Sequence, residues 1–193
     1  IEFLYQEGQT VHVGFDLSWS HNRKNLTDFL VKYRQKSDNY TAVNSSITSL
    51  TLKSLKAGVL DVEIVARNFT GVMSPVATAQ FTLNGKQAPP GNVQNLSIEP
   101  ITANSARLRW DETVDLDVYV NGRVRIRHSS LTDGSAIWPD SVDLIQAVPG
   151  NSTEAIVPLI DGEILVKFVD ELGNESASET SVLVNLADTL GRL

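Results

Sequence analysis

The stretch Gly58-Val59-Leu60-Asp61-Val62-Glu63-Ile64-Val65-Ala66-Arg67-Asn68-Phe69-Thr70-Gly71 alternates apolar and polar residues and ends in a turn-prone segment. Successive side chains of an extended strand point to opposite faces, so Leu60, Val62, Ile64 and Ala66 share one face. Asn and Gly are typical turn residues, and both occur in the last four positions. The stretch therefore predicts a half-buried β-strand followed by a tight turn.

The same period of two recurs on both sides of this stretch. Turn-prone segments at 21–25 and 36–39 separate the alternating runs. Many short strands with turns between them are typical of a sandwich or a barrel. The alternating runs of the first half are Val11/Val13/Phe15/Leu17/Trp19, Phe29/Val31/Tyr33, Leu50/Leu52 and Ala77/Ala79/Phe81/Leu83.

The pattern breaks at residues 84–91, which contain Pro89-Pro90, and then restarts. Proline cannot donate to a strand ladder, so this segment predicts a short, semi-rigid linker. The second half repeats the order of the first, and its third strand is expected to include Val118, Val120, Val124, Ile126 and His128. The alternative is that the turn signal Asn121-Gly122 breaks this strand. We predict an all-β chain of two tandem antiparallel β-sandwiches. The predicted bounds are 1–84 for the first sandwich, 85–91 for the linker, 92–188 for the second sandwich and 189–193 for the start of a following segment.

Composition excludes several classes of protein. The chain has 193 residues, a formal net charge of −7 and no cysteine. A net negative charge disfavours binding to nucleic acid. The absence of cysteine excludes disulfides, thiolate metal sites and cysteine nucleophiles. Apolar runs are too short for membrane insertion. Residues 1–5 do not resemble a signal peptide, and the opening on strand-like sequence suggests a start inside a larger protein.

Residues 58–71 resemble a central strand of the fibronectin type III family, with the pattern G-x-Y-x-V-x-V-x-A-x-N-x-x-G. Leu60 stands where the family usually has its corner tyrosine, so the hydroxyl-to-backbone bond of that corner is missing. Residues 162–176 are a variant of the same strand and turn, with Ile164 at the tyrosine position. The resemblance implies that Trp19, Tyr33 and Trp110 are core aromatic residues.

A narrower resemblance covers nearly the whole chain. Its landmarks, in order, are 3–8, Trp19, 31–34, 66–68, 71–75, 85–90, 124–129, 138–141, 157–162, Asp170 and 173–176. They are similar to the fibronectin-like modules of tailed-phage tip attachment proteins, the protein J or host-specificity family. This implies a virion protein at the distal tail tip, a homotrimer, other tail-tip proteins as partners, and a bacterial surface receptor as a further partner. The family has no receptor-contact motif in these modules.

Catalysis has little support in the sequence. A Ser/His/Asp arrangement would need His12, His21 or His128, and we interpret each as a surface or hydrogen-bonded histidine. His128 shares the apolar parity of Val124 and Ile126 and is expected to be partly buried. Neither G-x-S-x-G nor H-E-x-x-H occurs. We predict a protein that is not an enzyme and has no cofactor.

Two acidic clusters leave an alternative open. They are Asp111/Glu112/Asp115/Asp117 and Asp170/Glu171/Glu175. Paired carboxylates can hydrolyse glycosides, and carboxylate oxygens can bind Ca²⁺. The spacing does not match an EF-hand, and acidic loops between strands are usually solvated. We therefore assign no metal site.

Candidate partner contacts lie in the second half. Arg123, Arg125 and Arg127 alternate along one strand face and would form a basic stripe with Arg107 and Arg109 if both strands share a sheet. The favoured interpretation is a solvated face paired with carboxylates. Trp138 is the best candidate for an exposed aromatic anchor. The alternative is that it folds over the edge of the sandwich.

The functional hypothesis is a structural module pair that connects the tail hub to receptor-binding parts. Two alternatives are a cell-surface receptor or adhesin ectodomain and a carbohydrate-binding accessory domain of a secreted enzyme. Asn-x-Ser/Thr sequons favour the ectodomain, because such sites carry glycans in eukaryotic secreted proteins. They occur at Asn25, Asn39, Asn44, Asn68, Asn95, Asn151 and Asn174.

Overall fold

The computed structural model of the chain describes residues 1–22, 26–36 and 38–187. The chain divides into two compact units, Ile1–Gln87 and Ala88–Leu193, and the division falls inside the predicted 85–91 linker. The sequon at Asn25 and the predicted segment 189–193 lie outside the described residues. In the described part, no helix has the length and apolarity needed to cross a membrane.

The first unit packs a three-stranded sheet against a four-stranded sheet, and every pairing is antiparallel. The three-stranded sheet has the order β1-β2-β5 and the four-stranded sheet has the order β4-β3-β6-β7. The strands are β1 (Glu2–Glu7), β2 (Thr10–Ser18), β3 (Leu26–Gln35), β4 (Thr41–Ser45), β5 (Ser49–Leu55), β6 (Gly58–Asn68) and β7 (Ala77–Leu83).

The core of the first unit draws alternate residues from both sheets, as the period of two predicts. Phe15 and Leu17 of β2 pack with Val31 of β3 and with Leu60 of β6. Leu60 has no exposed surface, so apolar packing replaces the tyrosine corner at this position. Trp19, which follows β2, and Tyr33 are partly buried and pack against this core.

The turn after the quoted strand is closed by the side chain of Asn68. Its Oδ1 accepts hydrogen bonds from the backbone N–H of Thr70 at 3.0 Å and of Val72 at 2.9 Å. Gly71 has a φ of +83°, in the left-handed region that favours glycine. Ser74 then accepts a hydrogen bond from the N–H of Ala66 at 3.0 Å. Side chains thus satisfy backbone donors that the sheet leaves unpaired.

The second unit has the same arrangement of two antiparallel sheets, with the orders β13-β9-β8 and β11-β10-β14-β15, and β12 pairs with β10 beside β11. Its strands are β8 (Ser97–Thr102), β9 (Ser105–Arg109), β10 (Arg123–Ser129), β11 (Val142–Asp143), β12 (Val148–Pro149), β13 (Glu154–Pro158), β14 (Gly162–Val169) and β15 (Thr180–Val184). Trp110, Ile126, Ile164 and Val166 belong to its core. The predicted all-β fold, two tandem antiparallel β-sandwiches, is confirmed.

The turn after β14 repeats the turn after β6. Oδ1 of Asp170 accepts hydrogen bonds from the N–H of Leu172 and of Asn174, both at 2.8 Å. Gly173 has a φ of +92°, and Ser176 accepts a hydrogen bond from the N–H of Phe168 at 3.1 Å. The internal repeat therefore extends from the strand pattern to the individual hydrogen bonds of this turn.

The predicted strand at Val118–Val120 is wrong. Leu116–Asn121 forms a short helix, α1, in which Val118 is completely buried. The carbonyl of Val118 accepts a hydrogen bond from Gly122 N–H at 2.8 Å and also lies against Gly150. Two alternating valines are too short a signal to distinguish a strand from one buried turn of helix.

Gly150→Ala tests this close approach. A Cβ at position 150 would lie 2.0 Å from the Val118 carbonyl oxygen, so either α1 or β12 must shift. We expect a loss of unfolding free energy of about 1–3 kcal/mol, the usual cost of overpacking. Urea denaturation measures it. The adjacent exposed Asn151→Ala should change stability by less than about 0.5 kcal/mol. Equal stabilities for the two variants would contradict the contact.

Candidate functional site

The densest group of charged side chains lies on the outer face of the larger sheet in the second unit. Alternation on β10 sends Val124 and Ile126 into the core and directs Arg125 and Arg127 outward. A segment that we call the strap, residues 130–141, lies between β10 and β11 and carries Trp138. The Trp138 cluster, as we define it, comprises Arg125, Arg127, Trp138, Asp143, Lys167, Glu175 and Glu179.

Trp138 lies against three cations at the centre of this cluster. The indole centroid is 4.6 Å from the guanidinium of Arg127, 5.6 Å from that of Arg125, and 5.4 Å from Nζ of Lys167. All three distances are within the range of cation–π attraction. Trp138 is 6% exposed. The prediction of an exposed aromatic anchor is therefore wrong, and the alternative, in which the ring folds over the sandwich, describes the observed position.

Hydrogen bonds fix the tryptophan in this position. Nε1 of Trp138 donates to Oε2 of Glu175 at 2.9 Å, and its backbone N–H donates to Oε1 of Glu179 at 3.2 Å. Arg127 donates to the Trp138 carbonyl at 2.7 Å. Both polar ends of the residue are satisfied, which is the usual condition for burying tryptophan.

The carboxylates of the cluster neutralise its cations. Asp143 lies 2.8 Å from Arg125 and 3.1 Å from Arg127, and Glu175 lies 2.7 Å from Arg125. Glu179 lies 3.5 Å from Lys167. Three cations thus face three carboxylates. The cluster offers no excess positive charge to an acidic partner.

The pKa values follow from these contacts. Burial alone would raise the pKa of Asp143, but hydrogen bonds from Arg125 and Arg127 outweigh burial and lower it. Burial would likewise raise the pKa of Glu179. Backbone hydrogen bonds and the charge of Lys167 outweigh burial and lower this pKa. Both groups favour the charged form in the folded protein.

The predicted basic stripe does not form. Arg107 and Arg109 lie on β9 in one sheet, whereas Arg123, Arg125 and Arg127 lie on β10 in the other. Glu154 lies 3.8 Å from Arg107, and Glu99 lies 3.3 Å from Arg109. Arg123 is exposed and lines an open groove of about 450 Å³ beside residues 143–147. Its predicted role as a partner contact stays a prediction.

The predicted acidic clusters serve as local hydrogen-bond acceptors. Asp111 accepts from the side chain of Asn95 at 2.6 Å, and Asp115 accepts from the N–H of Gly91 at 2.7 Å. Within residues 1–22, 26–36 and 38–187, no group of three or more His, Asp or Glu side chains is placed to hold a metal ion. Asp117 is 5% exposed, and burial, then the charge of Asp170, raises its pKa.

The histidines are distributed over both units and do not form one site. The His12 ring stacks on Tyr5 with centroids 5.5 Å apart, and the His21 ring meets Phe29 edge-on at 5.6 Å. Nε2 of His128 lies 2.8 Å from the carbonyl oxygen of Asp161, and this residue is partly buried as its parity predicts.

A smaller counterpart of the cluster occurs in the first unit, and the sequence interpretation missed it. Arg34 of β3 lies 4.5 Å from the ring centroid of Tyr40 and 3.1 Å from Asp61. Arg34 pairs with the residue after Leu60, as Arg127 pairs with the residue after Ile164. Comparing the two strand registers would have located it. Tyr40 is 38% exposed, and burial with a hydrogen bond to Glu63 raises its pKa.

No protein-family model matches this chain, and no curated protein matches it. A two-domain fibronectin type III segment of chicken tenascin matches at 19% identity over 96% of this chain and 97% of that one, with a TM-score of 0.42. The FN1–FN3 domains of chicken CNTN1 match at 13% identity over 89% of this chain and 62% of that one, with a TM-score of 0.40.

Trp138→Ala should destabilise the second unit by about 3–5 kcal/mol, because it leaves a cavity and removes the indole N–H that donates to Glu175. Urea denaturation measures the loss, and hydrogen exchange of the β14 amides assigns it to this unit. Ile137→Ala is the matched control, since Ile137 is 50% exposed. An equal loss of unfolding free energy for the two variants would show that the buried indole does not stabilise the second unit more than an exposed side chain does.

Asp117→Asn should stabilise the protein at neutral pH. A carboxyl whose pKa is raised by folding lowers the protein's free energy of unfolding as pH rises. The loss begins near the unfolded pKa of about 3.9 and is complete above the folded pKa. The gain should therefore vanish below the unfolded pKa and be complete above the folded one. Urea denaturation between pH 3 and 8 measures it. A gain that is constant with pH, or one matched by the exposed control Asp140→Asn, would contradict this assignment.

Proposed function

We propose that this chain is a non-catalytic, structural module pair of a phage tail-tip attachment protein, connecting the tail hub to receptor-binding parts. The observation that carries the proposal is the overlap between two sets of residues. The landmarks 124–129, 138–141 and 173–176 resemble the phage family, and they contribute Arg125, Arg127, Trp138 and Glu175 to the Trp138 cluster. Residues that carry the resemblance therefore have a shared physical task.

That task is to seal and stiffen the second module. β14 is buried at every position, on its outer face as well as on its core face, and the strap contacts Glu163 and Lys167 on the outer face. Leu165 and Val169 point outward, yet they are 0% and 1% exposed. A central strand covered on both faces resists local opening. Such a module suits a spacer of fixed dimensions better than an active site.

The predicted linker supports the same role. Pro89-Pro90 restricts the backbone between the two modules, because each proline fixes its own φ. In a homotrimer, which we also propose, three spacers would present three weak receptor contacts together and increase avidity. Other tail-tip proteins would then be the permanent partners.

A direct test uses virions of the phage that encodes the chain. Gold-labelled antibody fragments raised against this module pair should decorate the distal tail tip in electron micrographs. The native protein with its flanking sequence should sediment as a trimer. Labelling of the capsid or of host membranes only would contradict the proposal, as would a native protein that is not carried by virions. As the control, antibody fragments pre-absorbed with the purified module pair should not label the tail tip.

A cell-surface receptor or adhesin ectodomain is the second candidate, and the exposed sequons favour it. Asn39, Asn44, Asn95 and Asn151 are all exposed. Glycan mass on the native protein at these positions would establish this candidate over the phage protein. The carbohydrate-binding accessory domain loses its main support, since its presumed platform, Trp138, is buried.

A further inference from the structure

One surface of the first unit lacks the features that normally protect a protein from association. From Phe69 to Gly85 the chain contains no charged residue, although 20% of all residues are charged. The loop between β6 and β7 exposes four large apolar side chains, and scattered single ones would be unremarkable. They are Phe69 at 76%, Val72 at 64%, Met73 at 55% and Val76 at 55%.

Strand β7 continues this uncharged surface as an open sheet edge. In the part of the chain that the structure describes, β7 pairs with β6 on one side and with no strand on the other. Five of its seven residues are exposed: Ala77, Thr78, Ala79, Gln80 and Thr82. Its register with β6 contains no bulge. Unpaired N–H and C=O groups along such an edge are a template for another strand.

Other edges in the protein are protected or shorter. Charged residues, prolines or a bulge interrupt the edges β1, β5, β8 and β13, at Glu2, Glu7, Lys53, Glu99, Pro100, Glu154 and Pro158. β4 and β15 are also uncharged but have five residues each, against seven in β7. β7 is thus the longest unprotected edge among the described strands.

The sequence of β7, Ala77-Thr78-Ala79-Gln80-Phe81-Thr82-Leu83, also suits pairing with itself. We propose that β7 pairs antiparallel with β7 of a second copy of this chain, about a two-fold axis at Gln80. In this register Thr78 lies opposite Thr82 of the partner subunit, and Gln80 lies opposite Gln80 of the partner subunit. Threonine pairs are favourable across strands, and no like charges meet.

The face that points into the sandwich suits the same register. Small Ala79 would lie opposite large Phe81 of the partner subunit, and Ala77 opposite Leu83 of the partner subunit. Each contact occurs twice, as an isologous interface requires. The two four-stranded sheets would join into one eight-stranded sheet, and the exposed apolar loops would flank the junction.

This contact goes beyond the proposed function and can be distinguished from it. A two-fold edge contact closes on two copies, whereas the tail-tip proposal expects three. Two paired strands bury less than the about 1,600 Å² of a standard interface, so we expect a weak dimer with a dissociation constant on the order of 10⁻⁵–10⁻⁴ M.

Sedimentation equilibrium of the purified chain between about 10 μM and 1 mM tests the proposal. Two double variants differ only in the second charge. Thr78→Lys with Thr82→Lys places lysine opposite lysine, and should weaken the dimer at least about tenfold. Thr78→Lys with Thr82→Glu places lysine opposite glutamate in the same register, and should keep the affinity within about threefold of the unmodified chain. Both changes are at exposed positions, and circular dichroism verifies folding.

Several outcomes would overturn the proposal. A chain that stays monomeric over the whole concentration range would do so, as would a trimer. Equal weakening of the dimer by the two double variants would exclude the antiparallel register. Ala42→Lys on β4 is the matched edge control and should leave the dimer unchanged. Loss of the dimer with Ala42→Lys would assign the contact to β4 instead.

Discussion

The architecture depends on the burial of alternate residues along two central strands, β6 and β14. Leu60 and Val62 of β6 and Ile164 and Val166 of β14 close the two cores, each with at most 2% of its surface exposed. Every neighbouring strand takes its register from one of these two. Because the side-chain period is two, a slip of one residue would send this row into solvent and charged residues into the core. The apolar row therefore fixes strand pairing, and the surface residues follow from it.

The two modules treat the outward row of these strands differently. In the first, Arg34 and Asp61 form a small, half-exposed pair that Tyr40 partly covers. In the second, Trp138 covers the corresponding arginine and joins it to a neutralised network. The arginine pair of the first module is thus partly accessible to solvent, whereas the corresponding arginine of the second module lies under Trp138. This difference is consistent with the two proposals, in which the second module is the stiff spacer and the first carries the contact between copies.

The fold was largely accessible from the sequence because period-two alternation is strong in both halves. The short helix α1 was not, since Val118 and Val120 also alternate and only the tight contact with Gly150 distinguishes the helix. The site was predicted less well. Of the four residues predicted as contacts, Arg125, Arg127 and Trp138 lie together in the Trp138 cluster, and Arg123 lies outside it. Their mutual pairing could not be predicted, because it depends on how the strap returns across the sheet and on Glu175 and Glu179 from beyond β14.

The double coverage of β14 also determines where the protein opens. Its amides lie between two buried layers, so their exchange with solvent requires the loss of the whole second module. The loop 69–76 has no such cover and its apolar side chains are exposed. Proteases attack exposed loop tips first. Limited digestion should therefore cut the first module at this loop while the second remains intact, and a persistent C-terminal fragment would be the form in which a damaged chain survives.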